Sequence, residues 1–218
     1  YEGFSKAVKT GMQAKSSLRG IHGPVASLMK TDEKYSLAVE IALGGGLQNI
    51  VVDREEDAKS AINYLKQRDG GRATFLPLSA IRGDELRQMG VEQEFGFVGV
   101  ASRLITFEER YRSIFQNLLG RTVIAEDLDC GIAMARKYQN AFRIVTLDGQ
   151  VINRGGSMTG GSTSRSAGVL SRAAELQKLN SRAGAMHKAL EDAKQAEEAA
   201  GLELAAAQYE LETAEGQR

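Results

Sequence analysis

The last fifty residues carry the most regular hydrophobic pattern in the chain. Small or apolar side chains recur in alternating steps of three and four residues, which is the a and d spacing of a coiled coil. These seam positions are Leu176, Leu179, Ala183, Met186, Leu190, Ala193, Glu197, Ala200, Leu204, Ala207, Leu211 and Ala214, with Glu197 the only charged interruption. No proline interrupts them, so we predict a rod on the order of 60 Å long that packs against another helix. The alternative is one long helix folded back on a globular domain.

A weaker pattern of the same spacing opens the chain and predicts a short helix that ends before the break from Gly20 to Pro24. Its positions are Phe4, Val8, Gly11, Lys15 and Leu18. Helical segments at both ends favour a globular domain inserted at the turn of an antiparallel helical hairpin.

The middle of the chain alternates helix and strand signals, which is typical of an α/β (α+β) fold. Thr31 or Asp32 can cap a first helix, and the glycines at 44–46 stop it before a strand in QNIVV. Asp53 and Glu56 resemble a capping box for a second helix. The segment RATFLPL follows as a strand whose proline suits a sheet edge or a strand end.

A second unit repeats this order. Thr106 and Glu109 resemble a capping box for a helix that ends at Gly120, and TVIA follows as a strand. A further helix over 128–138 precedes FRIVTL, an Asp-Gly turn and QVIN, which together predict a β-hairpin. The pairs ALGGGLQNIVVD with RATFL and NLLGRTVIAED with RIVTL then form a degenerate repeat, and we predict two similar subdomains.

Composition excludes several protein classes. The chain has 218 residues, 42% of them hydrophobic, which is enough for a buried core. Its single cysteine, Cys130, excludes a disulfide framework and favours a cytoplasmic protein. No apolar run approaches the roughly 20 residues that a membrane helix needs. The chain starts without Met and stops inside a helical pattern, so we expect a piece of a longer protein.

Charge is balanced overall but not along the chain. Formal net charge is zero, yet the segments 3–31 and 149–190 are each strongly basic, and the tail from Glu191 onward is acidic. Antiparallel pairing of the end helices would bring the two basic segments together. Such a surface suits nucleic-acid phosphates, and the alternative is an ordinary solvated face.

The string NRGGSMTGGS contains two glycine pairs, which permit positive φ and close approach of another backbone. A phosphate-binding loop would need a G-K-[ST] ending, or a GxGxxG turn after a first strand, and neither is present. A small nucleotide-binding α/β enzyme is therefore a distant alternative.

With its context, this string resembles the hinge of bacterial SMC (structural maintenance of chromosomes) proteins. The resemblance runs from about Ile21 to Arg172, through ALGGGLQNIVVD, GRATFLPL, GVASRLITFEERYRSIFQNLLGRTVIAEDLD and FRIVTLDGQVINRGGSMTGGS. It implies two pseudo-repeated subdomains and a two-fold homodimer. It also implies a cytoplasmic, nucleoid-associated parent protein whose ATPase heads, absent from this sequence, work with accessory subunits.

The resemblance implies particular site residues. The glycines that match the family's dimer interface are Gly155, Gly156, Gly160 and Gly161. Contact with DNA, single- or double-stranded and without sequence specificity, is implied where the coils leave the hinge. The candidate residues are Lys66, Arg165, Arg172, Lys15 and Arg19, although the lysine run of some relatives is absent after the glycines.

Enzyme chemistry has little support in the sequence, and we predict no catalytic residue, cofactor or metal. His22 and His187 lie in or near the predicted arms and outside any metal-binding spacing. Glu126, Asp127 and Asp129 could bind a cation at a strand end, but helix capping explains them better.

The predicted organisation is a coiled-coil segment over 1–20, subdomain I with its linker over 21–105, subdomain II over 106–165 and a second coiled-coil segment over 166–218. Two functions fit it: a homodimerising hinge that also contacts DNA, and a purely structural dimerisation module.

Overall fold

The computed structural model describes residues 4–162 and 168–216. They divide into two compact units, one that ends at Arg172 and one that starts at Ala173. The helices of the described ranges are α1 Lys6–Gln13, α2 Glu33–Leu43, α3 Glu55–Gln67, α4 Arg112–Leu119, α5 Leu128–Lys137 and α6 Val169–Gly216. The strands are β1 Ile21–Pro24, β2 Met29–Thr31, β3 Ile50–Val52, β4 Phe75–Pro77, β5 Phe97–Val100, β6 Ile105–Phe107, β7 Thr122–Ala125, β8 Arg143–Thr146, β9 Val151–Ile152 and β10 Met158–Thr159.

The first unit contains the same arrangement twice. In one sheet β3 lies between antiparallel β1 and parallel β4. In the other, β7 lies between antiparallel β5 and parallel β8, and β9 and β10 extend that sheet to five strands. Both antiparallel pairs even shift register at matching places, between Ile21 and Gly23 and between Phe97 and Gly99. The predicted repeat is confirmed, and it includes strands that the sequence pattern did not indicate.

A separate two-stranded sheet joins the repeats. In this antiparallel pair, Lys30 of β2 stands opposite Thr106 of β6. β2 begins at Met29 and β6 at Ile105, so both repeats follow the same course at an offset of 76 residues. Lys30 and Thr106 are equivalent under that offset. The pairing is therefore symmetric about its own centre, as a local two-fold axis requires.

The buried apolar residues form three clusters. The central cluster draws on both repeats and contains Val39 and Phe115. A second cluster lies under α5, around Met134 and Ile144. The third lies under α3, where Ile50 packs with residues of α1. The repeats therefore share one core, and each also has a smaller core of its own.

Helix α1 confirms the predicted helix near the N-terminus and belongs to the first compact unit. Ser5 caps it by accepting a hydrogen bond from the Val8 N–H. Val8 and Met12 are buried, at 2% and 8% exposure, against the cluster under α3. The division of the chain at residue 20 stays a prediction.

Two predicted capping boxes are wrong. Helix α3 begins at Glu55, and its reach-back bond runs from the Arg54 N–H to the Asp57 carboxylate, so Asp53 and Glu56 are each one residue out of place. Thr106 lies in β6, because pairing with β2 takes that segment, and α4 begins only at Arg112.

Other local predictions are confirmed. Gly44 ends α2 with φ +50°, and Asp32 occupies the position before the helix, although its side chain makes no capping hydrogen bond. Pro77 is the last residue of an edge strand, where its missing N–H is no loss. β8 and β9 form an antiparallel hairpin whose turn includes Gly149, at φ +90°.

Helix α6 is a single helix of 48 residues. Its first turn is held by the Glu40 carboxylate of α2, which accepts a hydrogen bond from the Leu170 N–H at 3.3 Å. The positive pole of the helix dipole lies at this end of α6, so a carboxylate there is favourable. Farther along, the seam leucines are exposed, with Leu190 at 53% and Leu204 at 61%. An exposed apolar seam agrees with the predicted coiled-coil segment, which needs a second helix to cover it.

Candidate functional site

The first glycine pair forms a hairpin turn between β9 and β10. The Gly156 N–H donates to the Asn153 carbonyl at 2.9 Å, and the Asn153 N–H donates to the Ser157 carbonyl at 2.8 Å. Gly155 has φ +88° and Gly156 φ +94°, conformations that other residues rarely adopt. A bend inside the chain thus accounts for this pair before any partner is considered.

The second pair lies just after β10 and is held by one side chain. Gln150 donates from its amide nitrogen to the Gly161 carbonyl at 3.2 Å and accepts from the Gly161 N–H at 2.9 Å. A Cβ on Gly160 would collide with the amide oxygen of Gln150. A Cβ on Gly155 or Gly161 would meet no atom within 4 Å, so the space beside both residues is open.

Strand β10 is an open sheet edge. Because the Asn153 N–H binds the Ser157 carbonyl, the alternation of an antiparallel ladder turns the backbone of Met158 toward the outer side. The Met158 residue is 52% exposed. Within residues 4–162 and 168–216 no strand pairs with this outer side of β10, and such an edge is a template for pairing with another strand.

Strand β4 is the corresponding open edge of the first repeat. The Ile50 N–H donates to the Thr74 carbonyl at 2.8 Å, and the Leu78 N–H donates to the Val52 carbonyl at 2.9 Å. By alternation, the backbone groups of Phe75 point away from β3. In the second repeat the matching side of β8 is covered by β9, whereas β4 is the last strand of its sheet.

The structure describes four of the five proposed DNA-contacting residues. Lys15, Arg19, Lys66 and Arg172 are all exposed, and Arg165 lies outside the described residues. Lys15 donates from Nζ to the His22 carbonyl at 2.9 Å. The Lys15 ammonium therefore lies beside β1, which contains His22.

Arg19 and Lys66 lie near opposite ends of α3, so they do not form one basic patch. Arg19 lines an open cleft with Asp53, Arg54 and Asp57 at the start of α3. Lys66 lies in the last turn of the same helix, about 14 Å farther along its axis. The acidic residues of the cleft also reduce the positive potential around Arg19.

His22 makes two hydrogen bonds that sequence reasoning missed, and one of them links the repeats. Expected in or near a helical arm, it lies in β1 with its side chain 12% exposed. Its Nδ1 is 3.0 Å from the Tyr111 hydroxyl, and its Nε2 is 2.7 Å from a carboxylate oxygen of Asp53. Burial raises the pKa of Tyr111. These three residues are far apart in sequence and form no metal-binding or catalytic spacing, so no local signal indicated them.

Arg143 makes a second link between the repeats. From β8 its guanidinium donates to the carbonyls of Ala42 at 2.8 Å and Ile41 at 3.5 Å, in the last turn of α2. The negative pole of the helix dipole lies at this end of α2, so the positive charge of Arg143 is favourable there. Burial lowers the pKa of Arg143.

The acidic residues after β7 act as a helix cap. The Asp127 carboxylate accepts a hydrogen bond from the Cys130 N–H at 2.8 Å, and this bond lowers the pKa of Asp127. The Asp127 side chain therefore caps α5 rather than binding a cation. Across residues 4–162 and 168–216, no group of three or more His, Cys, Asp or Glu side chains could hold a metal ion. No helix in those ranges is long and apolar enough to cross a membrane.

The chain is similar to known proteins along most of its length. The model of the SMC proteins Flexible Hinge Domain matches residues 18–135. The chromosome partition protein Smc of Bacillus subtilis is 45% identical over 192 residues, which cover 86% of this chain and 16% of that protein. The Smc protein of Methanocaldococcus jannaschii is 44% identical over 165 residues, covering 76% of this chain and 14% of that protein.

Solved structures give the same result. The asymmetric dimer of the Geobacillus stearothermophilus SMC hinge domain matches with a TM-score of 0.79 and 40% identity, over 86% of this chain and 77% of that one. The Pyrococcus furiosus SMC hinge domain matches with a TM-score of 0.63 and 33% identity, over 76% and 85%. This chain spans about a sixth of the length of its full-length relatives. With its doubled sheet, its open strand edges and its long terminal helix, the chain belongs to the SMC hinge domain family.

Proposed function

We propose that this chain is a homodimerisation hinge that joins two coiled-coil arms of a chromosome-organising protein. The observation that carries the proposal is the pair of open strand edges, β10 in the second repeat and β4 in the first. Two copies related by a two-fold axis satisfy both edges at once, with β10 of each copy beside β4 of the other. The Geobacillus hinge domain named above was crystallised as an asymmetric dimer, which supports dimerisation.

The geometry of both edges suits this pairing. Met158 and Phe75 turn their backbone groups outward, so each strand offers a donor and an acceptor to the other copy. Pairing them extends the three-stranded sheet of one copy with the five-stranded sheet of its partner. The open space beside Gly155 and Gly161 leaves room for the incoming backbone.

The first experiment replaces the outward N–H of β10. Met158→Pro removes that donor and leaves the neighbouring pairs with β9 untouched, whereas Met158→Gln keeps it and serves as the matched control. We expect sedimentation equilibrium at micromolar concentration to find a dimer for the wild type and the glutamine variant, and mainly monomer for the proline variant. A monomeric wild type, or a proline variant that stays dimeric, would contradict the proposal.

A second variant replaces Gly155, Gly156, Gly160 and Gly161 together by bulky residues, and it should also dissociate the dimer. Two of these glycines have φ values near +90° and a third would collide with Gln150. Far-UV circular dichroism must therefore show that the protomer is still folded before the result is read as loss of the interface. Folded quadruple variants that remain dimeric would mean that the glycines serve only the hairpin.

We further propose that the hinge contacts DNA through phosphates near the ends of its arms. The support is the exposure of Lys15, Arg19, Lys66 and Arg172 and the basic character of the segments 3–31 and 149–190. Contacts to phosphate carry no sequence information, so binding should be non-specific and should weaken as salt rises. The alternative is a structural dimerisation module whose basic side chains are only solvated.

Charge reversal separates these two functions. Lys66→Glu, Arg165→Glu and Arg172→Glu together should weaken binding to single- and double-stranded DNA and should reduce the slope of log affinity against log salt. The control makes the same charge change at three exposed arginines outside the basic segments, Arg82, Arg87 and Arg136. Equal losses in both variants, or none in either, would favour the structural module.

For the parent protein we propose a cytoplasmic, nucleoid-associated role in chromosome partitioning, with ATPase heads that work with accessory subunits. The support is the similarity to full-length relatives that are chromosome partition proteins, Smc. The hinge itself is proposed to act without catalysis or cofactor.

A further inference from the structure

Helix α6 carries a second apolar stripe on the side opposite its coiled-coil seam. This outer stripe consists of Ala199, Leu202, Ala206, Tyr209 and Thr213. Its members also recur in steps of three and four residues, but they lie about half a turn around the helix from Leu204 and Leu211. Leu202 is 70% exposed and Tyr209 is 72% exposed, so both present most of their surface to solvent.

The stripe has the shape of a helix-binding surface. Its two large side chains are one heptad apart, and alanines separate them, so ridges alternate with hollows into which another helix can pack. From Ala199 to Thr213 the stripe is about 20 Å long, which corresponds to roughly four turns. A partner helix that binds the seam leaves this face uncovered, because the two stripes point in opposite directions.

Acidic residues border the outer stripe on both sides. Glu203 and Glu210 lie along one border, and Glu198 and Glu212 along the other, all of them exposed. No basic residue occurs between Lys194 and Arg218. The stripe therefore combines an apolar centre with negative borders, a pattern that selects its partner by charge.

The borders exclude two occupants. The same stripe of a second copy would bring like charges together along both sides, and an anionic membrane would be repelled in the same way. A helix with an apolar stripe and Lys or Arg on both flanks satisfies the centre and the borders together. We propose that the outer stripe of α6 is a docking surface for a basic amphipathic helix of another protein.

The test uses the full chain and a designed peptide of about 18 residues, long enough to form a helix. The peptide carries leucines in steps of three and four and lysines on both flanks. Binding is followed by fluorescence anisotropy for the wild type, for Leu202→Gln with Tyr209→Gln, and for the seam control Leu204→Gln with Leu211→Gln. Each pair removes two exposed apolar side chains, so both variants should keep the helical signal in circular dichroism.

We expect the outer pair to weaken peptide binding about tenfold or more, since exposed aromatic and leucine anchors carry much of such an interface. The seam is exposed as well, so in the seam control the outer stripe is the surface left to the peptide and binding should persist there, whereas a peptide with glutamates in place of lysines should not bind. The proposal is overturned if the seam control loses affinity and the outer pair does not. It is also overturned if the wild type does not bind the peptide, or if sedimentation shows self-association that depends on Leu202 and Tyr209.

Discussion

The two repeats have the same order of strands and helices but different side chains at equivalent positions. Each runs from an antiparallel strand through a short strand and a helix to a central strand, and then through a second helix to a parallel strand. Yet the second repeat adds β9 and β10, whereas the first ends its sheet at β4. At equivalent places the side chains also differ, since Val39 of α2 corresponds to Phe115 of α4.

The difference teaches which parts of a duplicated fold must stay symmetric. The pairing of β2 with β6 lies on the local two-fold axis, so both strands must follow the same backbone path. Side chains away from the axis are free to diverge, and they supply contacts that a symmetric pair could not. His22 binds Tyr111, whereas the ring of Tyr35, the counterpart of Tyr111, lies under the exposed Lys34 ammonium, 4.5 Å from the ring centroid.

The largest effect should come from the central core. Phe115 is fully buried and stacks on Phe107 at 4.6 Å between ring centroids. Phe115→Ala should lower the free energy of unfolding by about 3–5 kcal/mol, because it removes that packing and leaves a cavity. Val39→Ala at the equivalent place should cost about 2 kcal/mol. Denaturant unfolding at one fixed protein concentration measures both, and equal losses would contradict the expectation that the larger side chain, Phe115, contributes more to the shared core than Val39.

A smaller effect should come from the contact between repeats. Tyr111→Phe removes the hydroxyl that binds His22 and leaves a mostly buried ring nitrogen without that partner, so we expect a loss of about 1–2 kcal/mol. The matched control is Tyr35→Phe, which keeps the ring under the exposed Lys34 ammonium and should change stability by less than about 0.5 kcal/mol. If both variants lose the same stability, the His22 contact is not what distinguishes the two positions.

The smallest effect should be seen only in acid. Asp127 caps α5, whereas the equivalent residue before α3 is Arg54. The lowered pKa of Asp127 means that its contribution is complete above the ordinary value of about 3.9 and is lost as pH falls through the lower, folded value. Asp127→Asn keeps a capping side chain but no longer titrates there. Melting temperatures between pH 5 and pH 2 should therefore fall less steeply for the variant than for the wild type, and parallel curves would exclude this residue as a source of acid sensitivity.

Elements with a local signal could be predicted from the sequence. The strands β3, β4, β7 and β8, the β8–β9 hairpin and the long helix α6 each have a hydrophobic period or a turn signal within a few residues. The repeat also followed from sequence, because glycines and strands recur in the same order. The first pair of the glycine string forms a bend within the chain, and the place of the string at a dimer interface stays a prediction.

Elements that depend on distant partners could not be predicted. β2 and β6 have three residues each and are strands only because they pair across 76 positions, so Thr106 was taken for a helix cap. His22 meets Tyr111 across 89 positions, and nothing near either residue in the sequence indicates the other. The open edges of β4 and β10 likewise became visible only when the strand order was known.

The anchored first turn of α6 also has a mechanical meaning. Glu40 holds the Leu170 N–H, and Leu170 is 6% exposed, so the helix is fixed at its base to α2. Helix α6 has 48 residues. At about 1.5 Å per residue, a helix of this length is about 72 Å long. Any pull on its first turn is passed to α2 through the Glu40 carboxylate.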